Sequence, residues 1–462
     1  MMRLYYSPSA RMKASWLAGF AQHATLVLVS MLLVCAFAVS AAQAQGRQMK
    51  LLRDAETEAM LRDFGDPILE AAGLNPTAVN FYIVDDNSLN AFVAGGQNIF
   101  FHTGLLAAVS TPGELKGVIA HETGHISGGH LARSREAMSN ATVPMVVSTL
   151  LGIGAIAAGS PDAGMALITG GQHVAQRSLL AYTRTQESQA DQAGATYLEA
   201  AGESSKGMLT LFSRFRDQEV LTSSQQDPYA RSHPISQQRL TALKERVEES
   251  PYYNTEADPE DVKRLKMVQA KLYGFLDNPR VTFRRFPEGD TSDEARYARS
   301  IAYHRQGQLA QALKELTPLQ VSLPDDPYVQ ELEAQILFES GQPQRAASAY
   351  RKAIEMEASE PQFQLGLGRA LLALDEPSTD AEALKVLQRA AQGDPRSSLV
   401  YYLLAIAYAR AGEEGMADLS TAERFYLTGQ PQEAKQYARR AQRSLPPGSP
   451  GWLRAEDIIA EG

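Results

Sequence analysis

The chain has 462 residues, 44% hydrophobic and 21% charged, with a formal net charge of −9 and one cysteine, Cys35. That length suggests two or three domains, and the composition excludes a largely disordered chain. The acidic balance, with no Lys/Arg run longer than two, argues against a nucleic-acid partner. A lone cysteine excludes a disulfide framework, thiolate zinc sites and iron–sulfur clusters.

The first residues are basic (Arg3, Arg11, Lys13) and carry no acid. Ala24 to Val39 is then almost purely apolar, and Ala42-Gln43-Ala44 makes an A-x-A cleavage site. Residues 1–44 therefore read as a secretory signal peptide. An uncleaved anchor is the alternative. A lipid anchor at Cys35 is disfavoured, because the bulky Val34 precedes it. Removing three cations and no anion takes the charge from −9 to −12 and leaves no cysteine. Such a chain suits a bacterial envelope compartment, where stray disulfides are a hazard.

Residues 50–250 mix strand and helix patterns. Val79 to Asp85 and Asn98 to His102 read as strands, with a turn at Gly95-Gly96. Thr111-Pro112-Gly113-Glu114 is a capping box: Thr111 at the N-cap, Pro112 at the first helical position and Glu114 at N3. The spacing of Leu115, Val118 and Ile119 predicts a helix from Pro112 onward.

That helix carries His121-Glu122-Thr123-Gly124-His125, an H-E-x-x-H motif. Residues four apart share a helix face, so His121 and His125 can turn both imidazoles toward one metal ion. Glu122 lies beside that face, where it can take a proton from an attacking water instead of binding metal. Zinc needs a third protein ligand. His130 lies nine residues after His121, one short of the metzincin spacing and roughly across the helix. It reads as a surface or capping histidine, with a metzincin-like site as the rival. Glu187 and Asp191 fit better, one turn apart in a later helical run: Glu187 as ligand, Asp191 holding a ligand histidine by its second nitrogen. His233, before Pro234 in a polar stretch, reads either as a helix-start histidine with no role or as one that stabilises an oxyanion or occupies the open metal position and keeps the site latent. His102, His173 and His304 read as structural.

Ala141 to Ala158 is apolar and long enough to span a membrane. Its glycines, and those of Gly164 to Gly171, favour a hairpin over the active site or against a membrane surface. Glu249 to Thr255 reads as a linker. From about Pro259 the pattern is helical only, and it repeats. Gly307 and Ala312 return as Gly341 and Ala346 after 34 residues, and the spacing recurs at Gly412/Ala417 and Gly429/Ala434. A copy around Gly366–Ala383 is degenerate, with an insertion at Asp375–Asp380. This period resembles tetratricopeptide (TPR) repeats, which present grooves for peptides or partner proteins.

His121-Glu-Thr-Gly-His125 followed by Glu187-x-x-Ala190-Asp191 resembles the M48 family of zinc metallopeptidases. Asn90-Ala91-Phe92, Gly95-Gly96, Thr103-Gly104-Leu105-Leu106 and His233-Pro234 with Arg239 resemble further family segments. Thr123 stands where the family usually has an aliphatic residue, a position that binds no metal. The resemblance implies an α+β zincin-like metallopeptidase domain, mostly helical with a small sheet, then an all-α TPR-like solenoid. The expected division is 1–44 signal peptide, 45–255 peptidase and 256–462 repeats. It implies one Zn2+ on His121, His125 and Glu187, with Glu122 catalytic and a periplasmic location. Unfolded or misassembled outer-membrane proteins would be its substrates and the outer-membrane assembly machinery its partner, with peripheral membrane contact through 141–171. A substrate would align on a strand edge near Asn98–His102. The rival function is a TPR chaperone or scaffold with a latent zinc site.

Overall fold

The computed structural model describes residues 49–157, 160–216 and 228–461. The signal-peptide reading of residues 1–44 lies outside the described residues. The sheet has four short strands: β1 (Leu51–Leu52), β2 (Asn80–Val84), β3 (Ala91–Ala94) and β4 (Asn98–His102). Their order is β1-β2-β4-β3, with β2 and β4 parallel and the outer pairs antiparallel. Side chains alternate across it, as pleating requires. Phe81, Ile83, Ile99 and Phe101 are buried in the core, while Tyr82, Phe92 and Phe100 are half-buried on the other face. The two sequence-read strands are β2 and β4. Among the described residues β4 is paired on both sides, so the edges are β1 and β3, and the edge near Asn98–His102 is that of the neighbouring β3 and not of β4 itself.

The helices α1 (Ala55–Ala71), α2 (Thr103–Ala108) and α3 (Pro112–Ser127) pack against this sheet and each other. Thr111 caps α3 by accepting the Glu114 backbone N–H. The Glu114 carboxylate reaches back 2.7 Å to the Ser110 backbone N–H, one residue before the cap. Met60, Phe64, Leu115, Val118 and Ile119 are fully buried where α1 meets α3. Two long helices follow, α4 (His130–Ala157) and α5 (Pro161–Ala200), then α6 (Lys206–Arg216), α7 (Pro228–Ser232) and α8 (Gln237–Glu248). The outer parts of α4 and α5 form an apolar hairpin whose side chains face outward. Val143, Leu150, Leu151, Ile153, Met165 and Val174 are 54% to 64% exposed. Among the described residues, His130–Ile156 is one helix long and apolar enough to cross a membrane. Helix α5 continues beyond the hairpin into the core, where Ala195 and Leu198 are buried.

After turns at residues 250–254 the chain enters α9 (Pro259–Leu276), a helix with two buried faces. Leu265, Val268 and Leu272 join the core around α1 and α3, while Met267 and Ala270 join the core of the first repeat. Past α10 (Pro279–Arg285), helices pair into hairpins: α11 (Asp293–Arg305) with α12 (Leu309–Ser322), α13 (Pro327–Glu339) with α14 (Pro343–Met356), and α15 (Pro361–Leu374) with α16 (Pro377–Gly393). Then come α17 (Ser398–Arg410), α18 (Glu414–Leu427), α19 (Pro431–Ser444) and α20 (Pro450–Glu461). Gly307, Gly341, Gly412 and Gly429 turn the chain with φ between 69° and 76°, a region that suits glycine. In the degenerate copy Asp375 takes that role at φ 55°. That copy is therefore a complete helical hairpin with altered turn chemistry.

The repeats return to the first domain. Ala55 packs with Ala353 and Phe363. Arg53 pairs with Asp394, and Arg396 donates to the Tyr82 hydroxyl at 3.1 Å. Beneath these contacts Lys271 is buried with Asp54 at 2.5 Å, Glu56 at 3.4 Å and Glu331 at 3.7 Å, a charged knot tying α1, α9 and α13 together.

Candidate metal centre

Helix α3 can carry chemistry in its interior because α5 crosses it almost backbone to backbone. A Cβ on Gly124 would lie 2.8 Å from the Ala190 carbonyl oxygen, and one on Gly194 would lie 3.1 Å from Ala120. This crossing sets Glu187 and Asp191 of α5 against His121 and His125 of α3. Gly129 ends the turn after α3 at φ 62° and sends the chain into α4. His233 arrives from the end of α7, its backbone N–H bonded to the Tyr229 carbonyl.

Four side chains converge. One ligand atom from each of His121, His125, Glu187 and His233 lies within 4.8 Å of the others, and all four residues are buried. His121 Nε2 is 3.1 Å from His125 Nε2 and 3.2 Å from His233 Nδ1. Glu187 Oε2 is 3.4 Å from His121 Nε2, and its Oε1 is 3.4 Å from His125 Nε2. Ligands about 2.05 Å from a tetrahedral zinc stand about 3.3 Å apart, so this spacing fits the ion.

The outer contacts fix the donors' direction. Asp191 Oδ1 lies 3.0 Å from His121 Nδ1, the place expected for it. A proton on Nδ1 toward that carboxylate leaves a lone pair on Nε2, aimed at the centre of the group. Arg239 grips Asp191 with two bonds of 2.8 Å and stands 3.1 Å from Glu187. His130 is 3% exposed and its Nδ1 lies 3.0 Å from His125 Nδ1. This corrects the reading of His130 as a surface histidine across the helix. Extrapolating from His121 along one helix failed because Gly128-Gly129 breaks the helix, and His130 opens α4 instead of prolonging α3. That glycine pair was the available signal.

The charges around the group favour a cation. Burial alone would depress His121, but Asp191 and Glu187 outweigh it and raise it to about 9. Burial would raise Glu187, yet His233 and His121 hold it well below the usual carboxylate range. Burial, reinforced by His121, keeps His125 neutral. Two carboxylates thus favour positive charge between them, which a divalent cation would supply while leaving the His121 Nε2 lone pair free to bind it. The residues present fit a metal ion. Burial raises Glu122, opposed chiefly by His233 and His121. The backbone N–H of Val93 on β3 and His233 both face this carboxylate, with Glu122 Oε1 3.5 Å from His233 Nε2.

A groove of about 680 Å3 opens onto this group. Glu122, His125 and His233 form its floor, Phe92 and Val93 of β3 one wall, and Leu131, Ser134 and Met138 of α4 the other. The β3 wall was not read from the sequence. Three half-buried residues in four make a weak strand signal. His102 lies away from this group and bonds Ser88 Oγ at 2.9 Å, and His304 pairs with Glu339 at 2.7 Å.

Two histidines one turn apart on a helix, a glutamate from the crossing helix and a buried glutamate between the histidines are the residue set that a metallopeptidase site requires. Residues 55–247 match the model of Peptidase family M48, and residues 332–398 match that of the tetratricopeptide repeat. The chain carries an M48 peptidase domain followed by TPR repeats. It is 26% identical over 391 residues to the beta-barrel assembly-enhancing protease (BepA) of Yersinia pestis, covering 83% of this chain and 79% of that protein. To the protein of the same name from Escherichia coli (strain K12) it is 24% identical over 391 residues, with 83% and 78% covered.

Proposed function

We propose that this chain is a periplasmic zinc endopeptidase that degrades misfolded or misassembled outer-membrane proteins and assists their assembly. Its repeats would bind partners or substrates. The observation that carries the reading is the convergence of His121 and His125 Nε2 with the Glu187 carboxylate, beside the buried Glu122. The names of the relatives support the β-barrel context. His121, His125 and Glu187 would hold Zn2+, with Asp191 and His130 orienting the two imidazoles. Nitrogen and carboxylate donors also suit cobalt or manganese. When bound, the ion supplies Lewis acidity that polarises a scissile carbonyl and makes water a nucleophile near neutral pH.

The remaining steps belong to the chain's own residues. Glu122, raised by burial, accepts the proton of the attacking water and delivers it to the leaving amine. The free edge of β3 aligns an extended substrate by strand addition above Glu122. His233 favours the latent role over oxyanion stabilisation, because its Nδ1 already lies within 3.2 Å of His121 and Glu187. That same contact supports the second reading, a TPR chaperone whose zinc site opens rarely. The apolar α4–α5 hairpin would rest against a membrane surface through residues 141–171.

The test is incubation of the metal-loaded protein with a urea-unfolded outer-membrane β-barrel protein and with its folded form, products read by mass spectrometry. Internal cuts in the unfolded form alone are expected. Trimming from a terminus only, or equal cutting of both forms, would overturn the proposal.

A further inference from the structure

On the sheet face turned away from the core, three aromatic rings form a row. Tyr82 of β2 stands opposite Phe100 of β4, and Phe100 stands opposite Phe92 of β3. Adjacent ring centroids are 5.0 Å apart, and the planes diverge by only 20° and 12°. The row has a closed end and an open one. At Tyr82, Arg396 from the repeats bonds the hydroxyl at 3.1 Å. At Phe92 the sheet stops, because β3 has no outer neighbour among the described residues. Phe92 is also a wall of the catalytic groove. The ring that ends the row is therefore the one beside the site.

We infer that Phe92 sets a substrate preference: the groove selects an extended segment bearing an aromatic side chain opposite Phe92. The inference rests on the proposed strand addition at β3. A chain added there places every second side chain on the outer face of the sheet. The residue paired with Phe92 then stands beside its ring and continues the row Tyr82–Phe100–Phe92 as a fourth member. Cross-strand aromatic pairs attract beyond their burial. Transmembrane β-strands fit this occupant, since they alternate in side-chain character and carry aromatic girdles. An unfolded β-barrel protein would thus present the groove with the pattern it selects. His102, edge-on to Phe92 at 6.0 Å, borders the same subsite.

The test walks one phenylalanine through an otherwise Ser/Thr/Ala peptide and measures KM and kcat with the metal-loaded protein. At one position Phe should lower KM roughly two- to tenfold against Ala, with kcat little changed. Phe92→Leu should bring that ratio close to one, and Phe92→Tyr should keep it. A ratio that survives Phe92→Leu, or no position favouring Phe, overturns the inference while leaving the peptidase intact. If no peptide is cut, the enzymatic reading fails separately. Binding of the same peptides to Glu122→Gln then still reports whether Phe is preferred.

Discussion

Glu56→Gln should change how stability depends on pH. Glu56 is 6% exposed, accepts the Tyr297 hydroxyl at 2.8 Å and faces Lys271 across 3.4 Å. Lys271 is the single ammonium among Asp54, Glu56 and Glu331, with Asp326 also acting on Glu56. Three carboxylates cannot all ionise around one buried cation. Asp54, closest to Lys271, is held low despite its burial. Burial, against the pull of Lys271, pushes Glu56 from 4.5 to about 7. Its folded pKa thus lies above its unfolded one, so the folded chain holds more protons between those values. Stability from this group is complete below about pH 4.5 and falls as pH rises through 7. That displacement corresponds to about 3 kcal/mol. Glutamine stays neutral throughout and still accepts from Tyr297. Urea midpoints followed by far-ultraviolet circular dichroism between pH 4.5 and 8 would read the difference. The variant should match the wild type near pH 4.5 and exceed it by about 3 kcal/mol at pH 8. Glu331, also raised by burial, contributes a slope of the same sign to both proteins. Parallel profiles would refute the reasoning.

Other outcomes follow from the site. Glu187→Ala should abolish high-affinity metal binding, whereas His130→Ala, which removes the contact at His125 Nδ1 and one to Gln189, should weaken it about 10- to 100-fold by competition with a chelating dye. The opposite order would restore the metzincin-like arrangement. Gly124→Ala gains about 1 kcal/mol of helix propensity. It also forces a Cβ to 2.8 Å from the Ala190 carbonyl, where overpacking costs about 1–3 kcal/mol. Because that neighbour is backbone, the second effect should win, lowering both the unfolding midpoint and metal affinity. His233→Ala should raise cleavage of unfolded protein in a timed gel assay. An unchanged or lower rate would remove latency as the role of that residue.

The local features of the fold were legible because they are written in short stretches. The capping box at Thr111 started α3 at Pro112, and β4 spans Asn98–His102 as its residues suggested. The H-E-x-x-H pair and the later Glu187/Asp191 run could be picked out by helical spacing and family resemblance, whereas the close crossing of Ala190 over Gly124 that brings them together shows only in the structure. The features missed depend on what lies across space. Which strand forms the edge is decided by topology, so β3 could not be told from β4 by pattern. The burial of His130 depends on a turn at Gly129 that redirects the chain. The two-faced role of α9 shows only once both cores are assembled, because either half of its apolar surface alone would look like an ordinary amphipathic stripe.

The central claim is that a metal held by His121, His125 and Glu187 works with Glu122 as the base. Its most direct test measures metal content and cleavage of unfolded protein together, for the wild type and for Glu122→Gln, with and without a chelator. The account predicts one zinc per chain in both proteins, with cleavage only in the untreated wild type. Cleavage surviving in Glu122→Gln or after complete metal removal would contradict it, and so would a wild type that takes up no metal.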